Sequence, residues 1–106
     1  MMVQRVRPCL RPDDLFARYG GEEFVILLPR ADLEGALTAA ERVRAVIARE
    51  AFAYEDKSIP VTISIGVASC SHPAPPLQKL IKEADDALYE AKHRGRNRVE
   101  HVQAAE

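Results

Sequence analysis

The chain has 106 residues, of which 47% are hydrophobic and 29% charged, and its formal net charge is −1 at pH 7. These values are typical of one globular domain that is large enough to bury a hydrophobic core. The near-neutral charge excludes a general nucleic-acid-binding protein, which needs an extended basic surface, although a few local cations could still form a nucleotide site.

The cysteines and the apolar segments exclude several further classes of protein. Cys9 and Cys70 lie far apart and lack the paired spacing of a zinc site or a disulfide framework. No apolar run approaches the length of a membrane-spanning helix, and residues 1–7 lack the continuous apolar segment of a secretory signal. We therefore expect two free thiols and a cytoplasmic protein with no membrane segment in this chain.

The chain opens with helical periodicity and continues with a β-hairpin. Val3, Val6 and Leu10 recur at helical spacing, and no capping residue precedes them, which indicates a chain that starts within an element. Residues 14–29 then have the pattern of two apolar strands around two adjacent glycines. Such glycines permit the positive φ angles that a tight primed turn requires.

A capped helix and an alternating strand follow. Asp32 is placed to cap a helix that starts near Leu33, and Arg42 projects from the polar face of that helix. Residues 59–69 alternate large apolar with small residues, which predicts a strand, and a weaker strand signal covers residues 52–54. The small-residue face of the main strand leaves room for a ligand, although a face covered by a helix would have the same composition.

The remaining chain predicts a helix over residues 77–94, which Gly95 ends in the left-handed conformation, and a short strand over residues 97–102. The order of elements is helix, strand, strand, helix, strand, helix, strand. This order predicts an α+β fold, with helices packed on a sheet that contains an antiparallel hairpin.

The hairpin tip carries the first candidate for chemistry. Glu22 and Glu23 leave the turn on opposite faces, because side chains alternate along a strand. A carboxylate beside a bare glycine backbone suits a magnesium ion, which takes one or two carboxylates together with phosphate oxygens and water. The alternative is a solvated hairpin tip, since these residue types are common in turns.

Residues 18–24, with the sequence Arg-Tyr-Gly-Gly-Glu-Glu-Phe, resemble the signature loop of GGDEF-domain diguanylate cyclases, in the variant with glutamate at the third motif position. Four further blocks resemble the later helices, strand and turn of that family in the same order: residues 40–44, 61–68, 84–92 and 95–97. The resemblance covers nearly all of the chain from residue 11 to residue 102.

The resemblance implies a truncated ferredoxin-like fold of the nucleotidyl cyclase palm type, with helices packed on an antiparallel sheet. It also implies an activity, in which two facing domains each hold one GTP. The 3′-hydroxyl of one nucleotide attacks the α-phosphate of the other, and cyclic di-GMP forms. Metal ions, Mg²⁺ (or Mn²⁺), would activate the hydroxyl and neutralise charge on the phosphates.

The resemblance further assigns roles in the active site. Glu22 would be the metal ligand, and Glu23 would line the same site. Two glycines would let the backbone approach the nucleotide, and two cations would bind its triphosphate: Gly20, Gly21, Lys92 and Arg96. For the two cations, the alternative is a solvated basic helix end that interacts with the helix dipole.

A second site is suggested upstream of the hairpin. Residues 11–14 fit the RxxD pattern of the inhibitory product site of the family, with Arg11 and Asp14 as its two members. Arg42 matches a further arginine that the family uses for the same ligand. Arginine can pair with phosphate or hydrogen-bond to guanine, and aspartate can accept from the N–H groups of guanine. The alternative for the RxxD pair is a surface salt bridge.

One part of the family pattern cannot be found in this sequence. The family carries an earlier strand and helix, with a metal-binding Asp and with an Asn and an Asp that bind guanine. We therefore expect residues 1–106 to be a partial GGDEF domain. Because the missing strand is central, its open neighbours should pair directly, borrow a strand from another copy, or leave the chain poorly stable. With one carboxylate for the metal, the isolated chain should have little or no cyclase activity.

Three functions stay open at this point. The chain could be part of a product-inhibited diguanylate cyclase, a non-catalytic receptor for cyclic di-GMP, or a dimerisation module. The expected partners are therefore GTP, cyclic di-GMP and further copies of the chain, and neither DNA nor RNA. The intact hairpin, Lys92 and Arg96 favour the cyclase, because a pure receptor would not need them.

Overall fold

The computed structural model describes residues 2–20, 23–70 and 75–101. Three α-helices, a short 3-10 helix and six strands lie in these ranges. In chain order they are α1 (Met2–Val6), the 3-10 helix (Arg7–Cys9), β1 (Leu15–Gly20), β2 (Glu23–Leu27), α2 (Leu33–Arg49), β3 (Phe52–Tyr54), β4 (Lys57–Ile59), β5 (Ile65–Val67), α3 (Leu77–His93) and β6 (Val99–His101). The α+β class expected from the sequence is confirmed.

The first helix changes to 3-10 geometry where Pro8 enters it. Proline has no backbone N–H to donate and fits best in the first turn of a helix, and here it stands near the start of the 3-10 segment. The backbone N–H of Leu10 closes this segment by donating to the carbonyl of Arg7 at 3.0 Å. Val6 is only 2% exposed, so this residue of the predicted apolar spacing lies on the inner face of α1.

The longest helix before the chain midpoint, α2, begins at the predicted cap. The carboxylate of Asp32 accepts a hydrogen bond of 2.8 Å from the backbone N–H of Gly35. Val43 and Ile47 are buried on its inner face and form a core with Val6. Half-buried apolar residues from the hairpin, β3 and the segment leading into β5 pack around this core: Phe16, Ile26, Phe52, Val61, Ile63 and Ile65.

Arg5 fastens α1 to the C-terminal end of α2. Its guanidinium donates to the backbone carbonyl of Glu50 and, at 3.0 Å, to that of Ala51. The same group lies 3.7 Å from the centre of the Phe52 ring, a cation–π contact. These contacts satisfy carbonyls that the end of α2 would otherwise leave without donors.

The strands of the described residues form three two-stranded sheets. The β1–β2 and β3–β4 pairs are antiparallel, whereas β5 and β6 are parallel. The resemblance implies an antiparallel sheet, and the hairpin fits it. The parallel pair follows from its connection, because α3 crosses over between the two strands. Within these residues no ladder joins the hairpin to β5.

The strands around residue 60 differ from the prediction. The weak signal at residues 52–54 is a real strand, and β4 pairs with it through a turn at Glu55, whose φ is 55°. The predicted strand 59–69 shortens to Ile65–Val67, because only these residues have a partner in β6. The preceding apolar residues still pack against the core without a ladder.

The contact between α3 and β5 explains why one face of the strand consists of small residues. A Cβ added to Gly66 would lie 2.0 Å from the backbone oxygen of Ala84 and 2.3 Å from the backbone nitrogen of Leu88. The helix therefore touches the strand backbone directly. The sequence left open whether the small-residue face adjoins a ligand or a helix. At Gly66 it is covered by a helix.

Candidate functional site

The hairpin brings two of its predicted active-site residues together. Gly20 ends β1 and pairs across the ladder with Glu23, the first residue of β2. The register shifts between Arg18 and Gly20, so Tyr19 lies at a β-bulge. Gly20 is a strand residue without a positive φ, and Glu23 is exposed. Gly21 and Glu22, the second of which is the predicted metal ligand, lie outside the described residues.

The described residues leave space at Gly20, the last residue of β1. A Cβ built on Gly20 meets no described atom within 4 Å. Packing within the described residues therefore does not require glycine at this position. Close approach of a ligand to the backbone would require it.

The two predicted phosphate-binding cations lie at and just after the end of α3. Lys92 is on the last turn of the helix, and Arg96 is in the turn that follows it. Both residues are exposed, and neither side chain has an ion pair within residues 2–20, 23–70 and 75–101. Two such cations at one helix end can bind an anion without first breaking a salt bridge.

The turn that carries Arg96 has an unusual backbone. Gly95 has φ 119°, as predicted for a residue that ends a helix, and the amide of Arg96 donates to the carbonyl of Ala91 at 2.9 Å. Arg96 and Asn97 then have φ angles of 61° and 49°. Left-handed backbone is uncommon outside glycine and needs support from the surrounding structure.

Contacts from Ser64, the residue before β5, and from α2 provide that support. The amide of Asn97 donates to the Ser64 hydroxyl at 3.2 Å, and its side-chain oxygen accepts a 2.8 Å bond from Arg44. The sequence contains no signal for the Arg44 contact, because it joins residues 53 positions apart. The Gly-Arg-Asn triplet could have indicated the left-handed turn, since asparagine tolerates that conformation.

The RxxD segment forms a closed turn. The carboxylate of Asp14 accepts a 2.8 Å bond from the backbone N–H of Arg11, and the amide of Asp14 donates to the Arg11 carbonyl at 3.0 Å. Asp14 thus contacts the backbone of Arg11, and no salt bridge joins their two side chains. Within the described part of the chain, the Arg11 guanidinium has no carboxylate partner.

Two adjoining depressions bring the three predicted product-site residues together. Arg11 and Arg42 line the first, which has a volume of about 350 Å³, and Arg11 and Asp14 line the second, of about 240 Å³. Arg11, Asp32 and Gly35 line both depressions, so the N-terminal turn of α2 contributes to each. Arg42 and Asp14, which are far apart in sequence, thus line two different depressions that share Arg11.

Arg30 is a residue of this surface that the sequence did not suggest. It lines the second depression, and its Nε donates to Asp13 at 2.6 Å. Asp13 belongs to the RxxD turn, so this ion pair links the turn to the segment before α2. Both side chains are exposed, which makes the pair weak by itself.

Glu41 and Arg44 form an ion pair on α2 in which Arg44 also donates to both carboxylate oxygens. The hydrogen bond from Arg44, aided by its charge, lowers the pKa of Glu41 against the opposing effect of burial. The Arg44 side chain is only 21% exposed, so it is the inner partner of the pair.

Two further features of the described residues concern metal ions and membranes. No group of three or more His, Cys, Asp or Glu side chains within the described ranges is arranged to hold a metal ion. Among the same residues, no helix has both the length and the apolar character needed to cross a membrane.

A family model described as "Diguanylate cyclase, GGDEF domain" matches residues 1–98. The chain therefore belongs to the GGDEF domain family of diguanylate cyclases. Members of this family generally use a divalent metal ion. The resemblance suggested by the hairpin motif is confirmed over nearly the whole sequence.

Named relatives agree with this assignment. Diguanylate cyclase A of Treponema denticola is 43% identical over 94 residues, which are 89% of this chain and 25% of that protein. The active GGEEF domain of a diguanylate cyclase from Vibrio cholerae has a TM-score of 0.81 at 30% identity, covering 97% of this chain and 65% of that chain.

A third similar structure contains a ligand. It is the coiled coil and GGDEF domain of DgcB from Caulobacter crescentus in complex with c-di-GMP, with a TM-score of 0.84 at 27% identity over 95% of this chain and 54% of that chain. The present chain thus spans a quarter of the curated relative and between half and two thirds of the two solved chains.

Proposed function

We propose that residues 1–106 form part of the GGDEF domain of a diguanylate cyclase, which condenses two GTP molecules to cyclic di-GMP. Family membership supports this proposal. We further propose that cyclic di-GMP binds to Arg11, Asp14 and Arg42. The observation that carries this second proposal is the pair of adjoining depressions that share Arg11.

The chemistry of the product site follows from its donors and acceptors. The bond to the Arg11 amide engages Oδ2 of Asp14 and leaves Oδ1 to accept from a guanine N–H. The guanidinium groups of Arg11 and Arg42 can pair with the ligand phosphates or hydrogen-bond to guanine. Arg11 and Arg42 supply cations for the two phosphates, and Asp14 supplies an acceptor for a guanine base. The depressions are also lined by the charged residues Arg30, Asp32 and Glu34.

In the active site, the hairpin would supply the metal-binding carboxylate. The exposed Glu23 opposite Gly20 shows that the described end of the hairpin is polar and open, which fits Mg²⁺ (or Mn²⁺) shared with phosphate oxygens. Glu22 is the proposed ligand, and Glu23 lines the same site. When bound, the ion neutralises phosphate charge and activates the attacking hydroxyl.

The remaining active-site roles concern the nucleotide. Gly20 and Gly21 would let the backbone approach it, and Lys92 and Arg96 would bind its triphosphate. Lysine supplies a compact charge and arginine a planar fork of donors, so the pair can engage several phosphate oxygens. Two such domains must face each other for one nucleotide to attack the other, so the active form is a dimer.

Calorimetry with cyclic di-GMP tests the product site. Arg11→Ala and Arg42→Ala should each weaken binding by about tenfold or more, because each removes charge-assisted hydrogen bonds. Arg49→Ala is the matched control, since Arg49 is an exposed arginine on the same helix as Arg42 but lines neither depression. Equal affinities of the wild type and Arg11→Ala would remove the product-site proposal.

A second titration separates the cyclase from a receptor. Lys92→Ala and Arg96→Ala should weaken binding of a non-hydrolysable GTP analogue and leave cyclic di-GMP affinity unchanged. The 106-residue chain by itself should convert little or no GTP, since the hairpin alone offers one metal carboxylate. Binding of cyclic di-GMP without any binding of the GTP analogue would favour the non-catalytic receptor.

A further inference from the structure

Arg44 makes a contact that helix stability alone does not require. Its Nη1 donates to Oδ1 of Asn97 at 2.8 Å, while its other donors hold Glu41 one turn earlier on the same helix. The guanidinium thus links α2 to the turn between α3 and β6. A half-buried arginine with acceptors on two elements is restricted in position, because its fork of donors is rigid.

The turn that Arg44 contacts has an unfavourable backbone conformation, which needs stabilising contacts. Arg96 and Asn97 are consecutive non-glycine residues with positive φ, a combination that L-amino acids avoid. On the far side of the turn, the amide of Ile65 donates to the Arg98 carbonyl at 2.9 Å. The turn is therefore held by Ser64 and Ile65 on one side and by Arg44 of α2 on the other, and the contact with α2 runs through the Asn97 side chain.

We propose that Arg44 is a positioning residue for the phosphate site: through Asn97 it fixes the backbone of Arg96 and so aims that side chain. This inference rests on the proposed role of Arg96 in binding the triphosphate. Arg44 itself touches no nucleotide. Loss of the Arg44–Asn97 bond would let the turn relax towards commoner φ angles, and Arg96 would spend less time in the binding orientation.

Asn97 offers a pair of variants that separate the hydrogen bond from the backbone angle. Asn97→Gly keeps the preference for positive φ but removes the acceptor. Asn97→Asp keeps an acceptor oxygen on a residue that also tolerates positive φ, and its charge favours Arg44. Arg44→Met removes the donors and keeps much of the side-chain length. Arg49→Met is its control, on an exposed position of the same helix.

The measurement is the affinity of the 106-residue chain for inorganic tripolyphosphate, by calorimetry at a temperature where each variant is fully folded. Asn97→Gly and Arg44→Met should each weaken binding by about fivefold or more, whereas Asn97→Asp and Arg49→Met should stay within about twofold of the wild type. Combining Arg44→Met with Arg96→Ala should cost no more than Arg96→Ala alone, because Arg44 acts through Arg96.

The outcomes distinguish this proposal from the one on which it rests. If Arg96→Ala weakens binding but Asn97→Gly and Arg44→Met do not, Arg44 is not a positioning residue, and the phosphate role of Arg96 stands. If Arg96→Ala has no effect, both proposals are overturned. A purely stabilising Arg44 would lower the Tm and leave the affinity at the level of Arg49→Met. Should Arg44→Met fail to fold, Asn97→Gly against Asn97→Asp decides the question.

Discussion

At Gly66 the helix α3 touches the backbone of β5, so replacement of this glycine should be costly. The added methyl of Gly66→Ala would collide with the backbone of α3 and not with a flexible side chain, so the helix must move. Overpacking of this kind costs about 1–3 kcal/mol and more where backbone must shift, so we expect a loss of at least about 2 kcal/mol in the free energy of unfolding.

Denaturant unfolding of Gly66→Ala checks this expectation against a matched glycine. Gly20→Ala is the control, because its new Cβ meets no described atom within 4 Å and Gly20 has no positive φ. This control should change the free energy of unfolding by less than about 0.5 kcal/mol. Similar losses for the two variants would show that α3 does not press on β5 as described.

The pH dependence of stability should contain a contribution from Glu41. Its folded-state pKa is lowered by the hydrogen bond from Arg44, so the ionised carboxylate favours folding. This contribution is fully present above the ordinary glutamate pKa of about 4.3 and is lost as the pH falls through the lowered folded-state value. Because the Glu41 side chain is 53% exposed, solvent screening keeps the effect within about 1 kcal/mol.

Comparison of the wild type with Glu41→Gln isolates this contribution from the other carboxylates. The wild type should have the higher Tm near neutral pH, and the difference between the two proteins should shrink as both approach about pH 3. A difference that stays constant over this range would mean that the carboxylate charge has no part in stability. The same difference at high salt should be smaller, since the pair is partly exposed.

For single residues, the sequence can indicate candidate site residues only where they belong to a short motif. Arg11 and Asp14 are three positions apart, and the closed turn between them follows from that spacing. Arg44 and Arg30 were missed because their partners are distant in sequence or become neighbours only in the fold. The sequence alone does not distinguish a helix arginine whose guanidinium is half-buried from one whose guanidinium is solvated.

Among the elements, α2 depends most directly on a single side chain at its start. Asp32→Ala removes the acceptor for the Gly35 amide and should lower the free energy of unfolding by about 1 kcal/mol. Asp32→Asn keeps an equally good cap and should remain within about 0.5 kcal/mol of the wild type. Chemical denaturation followed by circular dichroism measures both, and equal losses would indicate that the charge and not the cap matters.

The helices were predictable and the strands less so, for a physical reason. Both long helices carry their own signals, a cap at Asp32 and a terminating Gly95. A strand exists only where a neighbour pairs with it, so residues 60–64 have strand-like alternation but belong to no strand, whereas Ile59 pairs in β4. The parallel partnership of β5 with β6 likewise depends on how α3 crosses over, which alternation does not encode.

For the whole molecule, the decisive feature is how few strands each sheet has. Isolated two-stranded sheets are marginally stable in water, and the hairpin pairs with no third strand among the described residues. One of its faces packs on the core through Phe16 and Ile26. The other face is also apolar, because the register places Leu15 opposite Leu27 and Ala17 opposite Val25.

This second face and the unpaired edges lead us to expect self-association of the 106-residue chain. Leu15 is 60% exposed, although leucine gains about 1.5–3 kcal/mol when it is fully buried.

Sedimentation velocity over a hundredfold range of concentration should show a rising average mass. Leu15→Lys should reduce association, because a charge on an exposed strand opposes edge and face pairing. Leu77→Lys, on α3 and 50% exposed, is the control and should associate as the wild type does. A monomer whose mass is independent of concentration would show that the hairpin is stable with its second face in water.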